Sequence, residues 1–222
     1  MPCMRRRWAI EQCRQFFGLS EADERLIRGH EGRSLCLQRW RQDPATFDDD
    51  PLTLLRQEWF HAADLRYKHP GFFAALPPGA VILDYGCGTG EVARLPWIAR
   101  HERIVLVDHA QRLEAYLYAK YAWARGVRIC DVQDPAWAAL GPYDGLICTD
   151  MFEHIVNPLE VQAGLWGLLK PGGHALLKFE DAYPHAGHLA ESIAQLPAWW
   201  TWVQAHAEII EVDTYIWARK TT

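Results

Sequence analysis

The segment Val81-Ile82-Leu83-Asp84-Tyr85-Gly86-Cys87-Gly88-Thr89-Gly90 leaves this chain few folds to choose from. Its short, apolar, β-branched start reads as a buried strand and not as one face of a helix. Alternate glycines follow, so no Cβ keeps the backbone away from a neighbour or a ligand. A similar rhythm then repeats. Residues 104–107, 127–130 and 144–149 are further apolar runs, closed by Asp108, Asp131 and Asp150, and residues 174–179 make a fifth. Helix-forming stretches at 110–125 and 158–169 lie between them. Gly126 ends the first; Asn157 caps the second, and Lys170-Pro171-Gly172-Gly173 is its exit turn. Short apolar strands alternating with helices pack as a parallel sheet covered on both faces. Residues 207–212 and 215–219 are too close for a crossover helix and predict an antiparallel hairpin, with one bent strand as the alternative.

Residues 1–76 read as helical. Residues 5–17 form one helix ended by Gly18, and Ser20 caps a second with Glu21, Asp23 and Glu24 in its first turn. Gly29 and Gly32 interrupt the pattern before a helical stretch at 34–41. Asp50 as N-cap and Pro51 as first residue open another helix, with Leu52, Leu55, Trp59, Ala62 and Ala63 on its apolar face. The Asp48-Asp49-Asp50 run reads as that solvated turn and cap, not as a metal site. His69-Pro70-Gly71 and Pro77-Pro78-Gly79 mark the passage into the main domain. The chain thus divides into an N-terminal helical cap or lid, 1–76, and a ligand-binding domain, 77–222.

A net charge of −5 opposes a strong grip on nucleic acid, where a basic face is expected. None of the six cysteines has C-x-x-C spacing, so neither a zinc knuckle nor a redox motif is indicated. Cys87, Cys130 and Cys148 read as small apolar core residues. The opening MPCMRRRWAIEQC lacks the apolar run of a signal peptide, and no stretch has the length of a membrane span. Reduced thiols and a cytoplasmic location are the expectation.

In open α/β sheets the ligand lies at the carboxyl ends of the strands, near the point where strand order reverses. Asp84, Asp108, Asp131 and Asp150 fall at such ends. An ionised Asp84 repels a pyrophosphate, and G-x-G-x-G departs from the G-x-G-x-x-G of dinucleotide binders. A cationic adenosine ligand without phosphates suits both features, and S-adenosylmethionine carries a sulfonium and an ammonium. Asp108 offers a carboxylate to both ribose hydroxyls and Asp131 one to the adenine amino group, while the backbone of 86–90 approaches the amino-acid half. From about residue 78 to the C-terminus the chain resembles the class I S-adenosylmethionine-dependent methyltransferases. The likeness is carried by the stretch from Asp84 to Gly90, the ordered acidic strand ends, and Leu168-Leu169-Lys170-Pro171-Gly172-Gly173 before the fifth strand.

That resemblance implies a doubly wound, mostly parallel, Rossmann-like sheet of seven strands, with an antiparallel C-terminal hairpin and an N-terminal helical cap. It implies S-adenosylmethionine as cofactor, bound by Asp84, Tyr85, Gly86, Cys87, Gly88, Gly90, Asp108, His109, Asp131, Val132, Thr149 and Asp150. One departure from the family pattern is the short segment 91–103, whose helix Pro96 breaks early.

The fourth strand leads into Asp150-Met151-Phe152-Glu153-His154. Asp150, Glu153 and His154 stand at i, i+3 and i+4, positions that share one face of a helical turn. They are a candidate set for Mg²⁺ or another divalent cation, although Mg²⁺ prefers oxygen ligands. His185 or His188 is a candidate further ligand. The segment is similar to the E-x-x-E-H of methyltransferases of ubiquinone biosynthesis and of the small-RNA terminal 2′-O-methyltransferases, with Asp150 in place of the first Glu. Many methyltransferases carry a Glu-His pair here without a metal. His154 is also a candidate general base, oriented by Glu153, with a purely structural histidine as the alternative. Among the eleven tryptophans, Trp199, Trp200, Trp202 and Trp59 are either core residues or walls of a pocket for an aromatic or cationic acceptor. The expected function is methyl transfer from S-adenosylmethionine to an oxygen or nitrogen of a small molecule. Methylation of RNA or another macromolecule, and cofactor binding without catalysis, are the alternatives.

Overall fold

The computed structural model describes residues 2–42, 50–60, 69–90, 103–109, 111–121, 124, 126–181 and 187–221. Ala62, Ala63, the segment with Pro96, His185 and the first two aspartates of the Asp48-Asp49-Asp50 run lie outside the described residues. The chain opens with α1 (Pro2–Phe17), α2 (Glu21–Arg28), α3 (His30–Gln42), α4 (Pro51–Phe60) and α5 (Pro70–Ala75). Ser20 and Asp23 close a reciprocal capping box at the start of α2. Asp50 caps α4, its Oδ2 accepting the Thr53 N–H at 2.9 Å. Gly32 does not interrupt a helix; it lies inside α3. A Cβ there would stand 2.6 Å from the Ile27 backbone, so glycine is what lets α3 fold close against α2.

The sheet follows: β1 (Val81–Tyr85), β2 (Arg103–Asp108), α6 (Gln111–Tyr121), β3 (Val127–Asp131), β4 (Tyr143–Thr149), α7 (Pro158–Leu168), β5 (Leu169–Lys178), α8 (Ala190–Ile193), α9 (Leu196–His206), β6 (Ala207–Val212) and β7 (Ile216–Lys220). Its seven strands run in the order β3-β2-β1-β4-β5-β7-β6. β1 to β5 are parallel, whereas β7 is antiparallel to both β5 and β6. Residues 207–220 thus form the hairpin, not one bent strand. Residues 170–173, expected as an exit turn, and Leu169, expected as the last residue of the helix, instead belong to the start of β5. The pairing jumps there from Tyr143–Leu169 to Gly145–His174, so the extra residues form an irregularity in the strand.

Side chains alternate across the sheet and feed two cores. Ile82, Ile104, Leu106, Ile147 and Leu176 face one side, packed with Ile10, Cys13, Ile27, Leu54, Leu55 and Phe72 of the N-terminal helices and with Tyr116 and Leu117 of α6. Val81, Leu83, Val105, Val107, Leu146, Cys148 and Leu177 face the other, packed with Leu165 and Trp166 of α7 and with Trp199 and Val203 of α9. The N-terminal helices therefore share a core with the sheet. Trp199 is a core residue, its ring 5.3 Å from Phe152 and 5.5 Å from Phe179, and its Nε1–H donating to Gln162. Cys87 and Cys148 are buried thiols and Cys130 is half-buried. Among the described residues no helix is long and apolar enough to cross a membrane.

Candidate active site

Strand order reverses around β1, which lies between β2 and β4, so a crevice opens at its carboxyl end. Register brings the predicted acidic ends side by side: Asp108 is opposite Asp131, and Asp84 lies between Leu106 and Ile147. Past Tyr85 the chain turns through Gly86, Gly88 and Gly90, at φ of 72°, 47° and 71°. The N–H groups of Gly86 and Cys87 donate to Val107 O at 2.9 and 3.1 Å, which ties the loop to β2. Asp108 completes the tie. Its Oδ2 accepts the Gly88 N–H at 2.8 Å and its Oδ1 accepts the His109 N–H at 2.8 Å. Oδ1 is also 3.0 Å from His109 Nδ1, so Oδ2 is the oxygen that keeps a lone pair for a further donor. Val132 N–H donates to Asp108 O at 2.8 Å, and Asp131 Oδ1 holds the next turn through Gln133 N–H at 2.8 Å. Trp137, which the sequence reading missed, packs its ring 5.3 Å from that of Tyr85 and adds an aromatic wall at the end of β1.

Asp84 departs from the expectation of an ionised group. It is buried, and burial first, then the neighbouring Asp108, pushes its carboxyl up to about 8. Without a cation beside it the neutral acid is favoured; a cationic ligand draws off the proton. The folded state thus binds this proton more tightly than the unfolded chain does. Its contribution to stability falls as pH rises from about 4 to about 8. Asp84→Asn is therefore expected to raise the melting temperature of the ligand-free protein at pH 8 and to weaken binding of S-adenosylhomocysteine. Thermal melts at pH 5 and pH 8, with calorimetry, check both; a lower melting temperature at pH 8 contradicts the assignment.

A second feature that the sequence reading missed grips the loop from behind. Glu58 of α4 and Lys120 of α6 form a fully buried ion pair. Lys120 Nζ also donates to Thr89 O at 2.6 Å, Tyr116 OH donates to Glu58 Oε1 at 2.8 Å, and Tyr121 OH donates to Gly90 O at 2.6 Å. Gln57, one residue before Glu58, stands over the loop, its Oε1 3.3 Å from where a Cβ on Gly88 would lie.

Across the crevice, Asp150 takes a left-handed φ of 54°, and its carboxylate pairs with Lys178. Lys178 also bonds Glu180 at 3.0 Å. Asp150 therefore does not join Glu153 and His154. These two lie on a short 3₁₀ turn, Phe152–His154, and the residue that joins them is His188. The three offer ligand atoms within 4.8 Å of one another. Their rings and carboxylate are close-set: His188 Nε2 is 3.9 Å from Glu153 Oε1, and the two imidazoles meet edge to face at 4.9 Å. Glu153 is fully buried, and among the described residues neither of its oxygens meets a partner at full hydrogen-bond geometry. Burial pushes its carboxyl up to about 8, with Asp150 adding to the rise. His154 is exposed, so the cluster has one solvent-facing member in front of two buried ones.

The profile of a family described as "Methyltransferase domain" matches residues 57–218. A ubiquinone biosynthesis O-methyltransferase from Xanthomonas campestris pv. campestris (strain B100) is 33% identical over 131 residues, covering 54% of this chain and 52% of that protein. The chain thus spans about half the length of the curated relatives it matches. Among solved structures, the N-methyltransferase NodS from Bradyrhizobium japonicum WM9, in complex with S-adenosyl-L-homocysteine, is similar in fold. Its TM-score is 0.53 at 14% identity, over 84% of this chain and 99% of that one. An rRNA methylase from Streptococcus thermophilus has a TM-score of 0.52 at 13% identity, over 72% of this chain and 97% of its own. At such identities the two structures speak for the fold alone. The family match, however, runs from α4 to β7 and takes in every strand that builds the crevice. The chain belongs to the class I S-adenosylmethionine-dependent methyltransferases.

Proposed function

We propose that this methyltransferase acts on an oxygen or nitrogen of a small molecule, with a hydroxyl oxygen as the favoured acceptor. The observation that carries this reading is the Glu153-His154-His188 cluster, joined to the glycine loop through Met151, whose side chain stands against Gly86: a proton-handling group where an acceptor would approach the methyl donor. The curated relatives are named O-methyltransferases, which supports the same choice. The net charge of −5 counts against a polyanionic substrate. Free thiols at Cys13, Cys36, Cys87, Cys130 and Cys148 suit a reducing compartment such as the cytoplasm.

Methyl transfer is an in-line displacement at carbon, and the sulfonium is already an activated leaving group. The protein's tasks are alignment and exclusion of water. In this reading Asp84 and the backbone of Gly86, Cys87, Gly88 and Gly90, flanked by Tyr85, hold the amino-acid half of the cofactor. Asp108 and His109 receive the ribose, Asp131 and Val132 the adenine, while Thr149 and Asp150 close the β4 side. His154, the exposed member of its cluster, removes the acceptor proton, with Glu153 and His188 behind it. The N-terminal helices, 1–76, shape the acceptor end.

The cluster also fits a divalent cation. Two imidazoles and a carboxylate whose buried oxygens lack partners among the described residues make a mixed nitrogen and oxygen set, better matched to a borderline ion such as Zn²⁺ than to Mg²⁺. When bound, such an ion would acidify a coordinated acceptor hydroxyl. Protein incubated with Zn²⁺ and desalted is expected to retain about one equivalent by elemental analysis, and Glu153→Gln to retain about a tenth of that or less. Equal retention by the variant, or none by wild type, removes the metal from the reading.

The function is tested by a methyl-transfer screen with radiolabelled S-adenosylmethionine against phenols, amines, carboxylates, thiols and RNA. Label in a phenol or an amine is the expected result. Label in RNA alone overturns the small-molecule reading.

A further inference from the structure

We propose that Gln57 is an additional cofactor-binding residue, whose side-chain carbonyl accepts a hydrogen bond from the ammonium of S-adenosylmethionine. The proposal rests on the cofactor of the family and is independent of the acceptor. Gln57 Oε1 is buried and has no hydrogen-bond partner among the described residues. A buried carbonyl without a donor is costly, and native folds rarely leave one so unless something else fills the need.

The position of this oxygen says where its donor comes from. It lies over Gly88, and among the described residues other than Gly88 and its two chain neighbours it is the one heavy atom within 4 Å of the place a Cβ on Gly88 would take. The Gly88 N–H is not that donor, because it is committed to Asp108 at 2.8 Å. Nor does α4 sit there loosely. The next residue, Glu58, is buried against Lys120, whose ammonium holds Thr89 O at 2.6 Å. Gln57 is therefore delivered to the loop by a clamp that grips the following loop residue.

The missing partner must be a hydrogen-bond donor, and the buried carboxyl of Asp84, at the end of the strand from which the loop departs, favours a positive one. An ammonium supplies three N–H donors and a full charge. The glycines that bring loop backbone to the amino-acid half of the ligand bring Gln57 to the same end. In this arrangement the carbonyl of a helix that precedes the sheet reads the cofactor's amino group, so an adenosine lacking that group gains nothing from it.

The test is calorimetric titration of S-adenosylhomocysteine and of 5′-methylthioadenosine, which keeps the adenosine and lacks the amino-acid half. The proteins are wild type, Gln57→Met and Gln57→Glu, with ligand-free melting temperatures measured alongside. Gln57→Met is expected to weaken S-adenosylhomocysteine roughly 10- to 100-fold, the loss of a hydrogen bond to a charged group. It should leave 5′-methylthioadenosine within about twofold and should not lower the ligand-free melting temperature, since it removes an unpaired buried oxygen. Gln57→Glu keeps an acceptor and is expected to bind S-adenosylhomocysteine better than Gln57→Met does. The proposal is overturned by wild-type affinity in Gln57→Met, by equal losses for the two ligands, or by Gln57→Glu binding more weakly than Gln57→Met. Wild type that binds neither ligand overturns the cofactor reading and this proposal together.

Discussion

Lys120→Met is expected to lower the melting temperature by on the order of 10 °C. The residue is fully buried, and so is Glu58, its partner. Removing one member of a buried pair leaves the other charge without compensation, at about 3–5 kcal/mol. For a domain of this size each kcal/mol moves the midpoint by roughly 2–4 °C. The ammonium also holds Thr89 O, so the glycine loop loses its support from behind and cofactor affinity falls with stability. The double variant Glu58→Gln/Lys120→Met removes both charges and is expected to recover most of the loss. Circular dichroism melts of the two variants decide the matter. If the single variant melts with wild type, or if the double variant is no more stable than the single, the pair is not the clamp described here.

Gly86→Val is expected to reduce S-adenosylhomocysteine affinity by roughly 100-fold or more, with the secondary structure retained. Two effects add. At φ 72° a β-branched residue is strained in a region that favours glycine. A Cβ there would also stand 2.8 Å from Met151 Cβ, and closer still to Met151 Cγ. A methionine side chain can rotate, but its Cβ moves only with the backbone. Relief therefore displaces the chain that leads to Glu153 and His154, and both sides of the crevice shift. Gly86→Ala keeps the clash with less bulk and should bind better than the valine variant. Calorimetry on folded protein is the check, and unchanged affinity in Gly86→Val would remove this loop from the cofactor site.

Both variants act on parts of the site that differ in how far the sequence reveals them. Gly86 is legible because its demands are local: apolar residues end in a carboxylate, and alternate glycines permit a turn that other residues resist. The four acidic strand ends are legible for the same reason, each closing its own apolar run. Asp150 illustrates the limit. Spacing put it with Glu153 and His154 on one helical face, but the backbone turns left-handed at Asp150 and only Phe152–His154 forms a short 3₁₀ turn. Lys178, from the neighbouring strand, then takes its carboxylate. That the ligand-free protein favours the neutral acid at Asp84 was hidden for a similar reason. A sequence shows the carboxyl, whereas its burial is a property of the packed sheet.

The chain's own order of residues determined the five parallel strands, the glycine loop and the family, since strand periodicity, capping and positive φ depend on neighbours a few positions apart. Tertiary structure alone decided that Glu58 meets Lys120 across 62 positions, that His188 joins Glu153 and His154, and that Gln57 stands over Gly88. Local pattern says which residues share a face of an element. Which element that face meets is settled only when two cores close around one sheet and the polar groups trapped between them have to find partners.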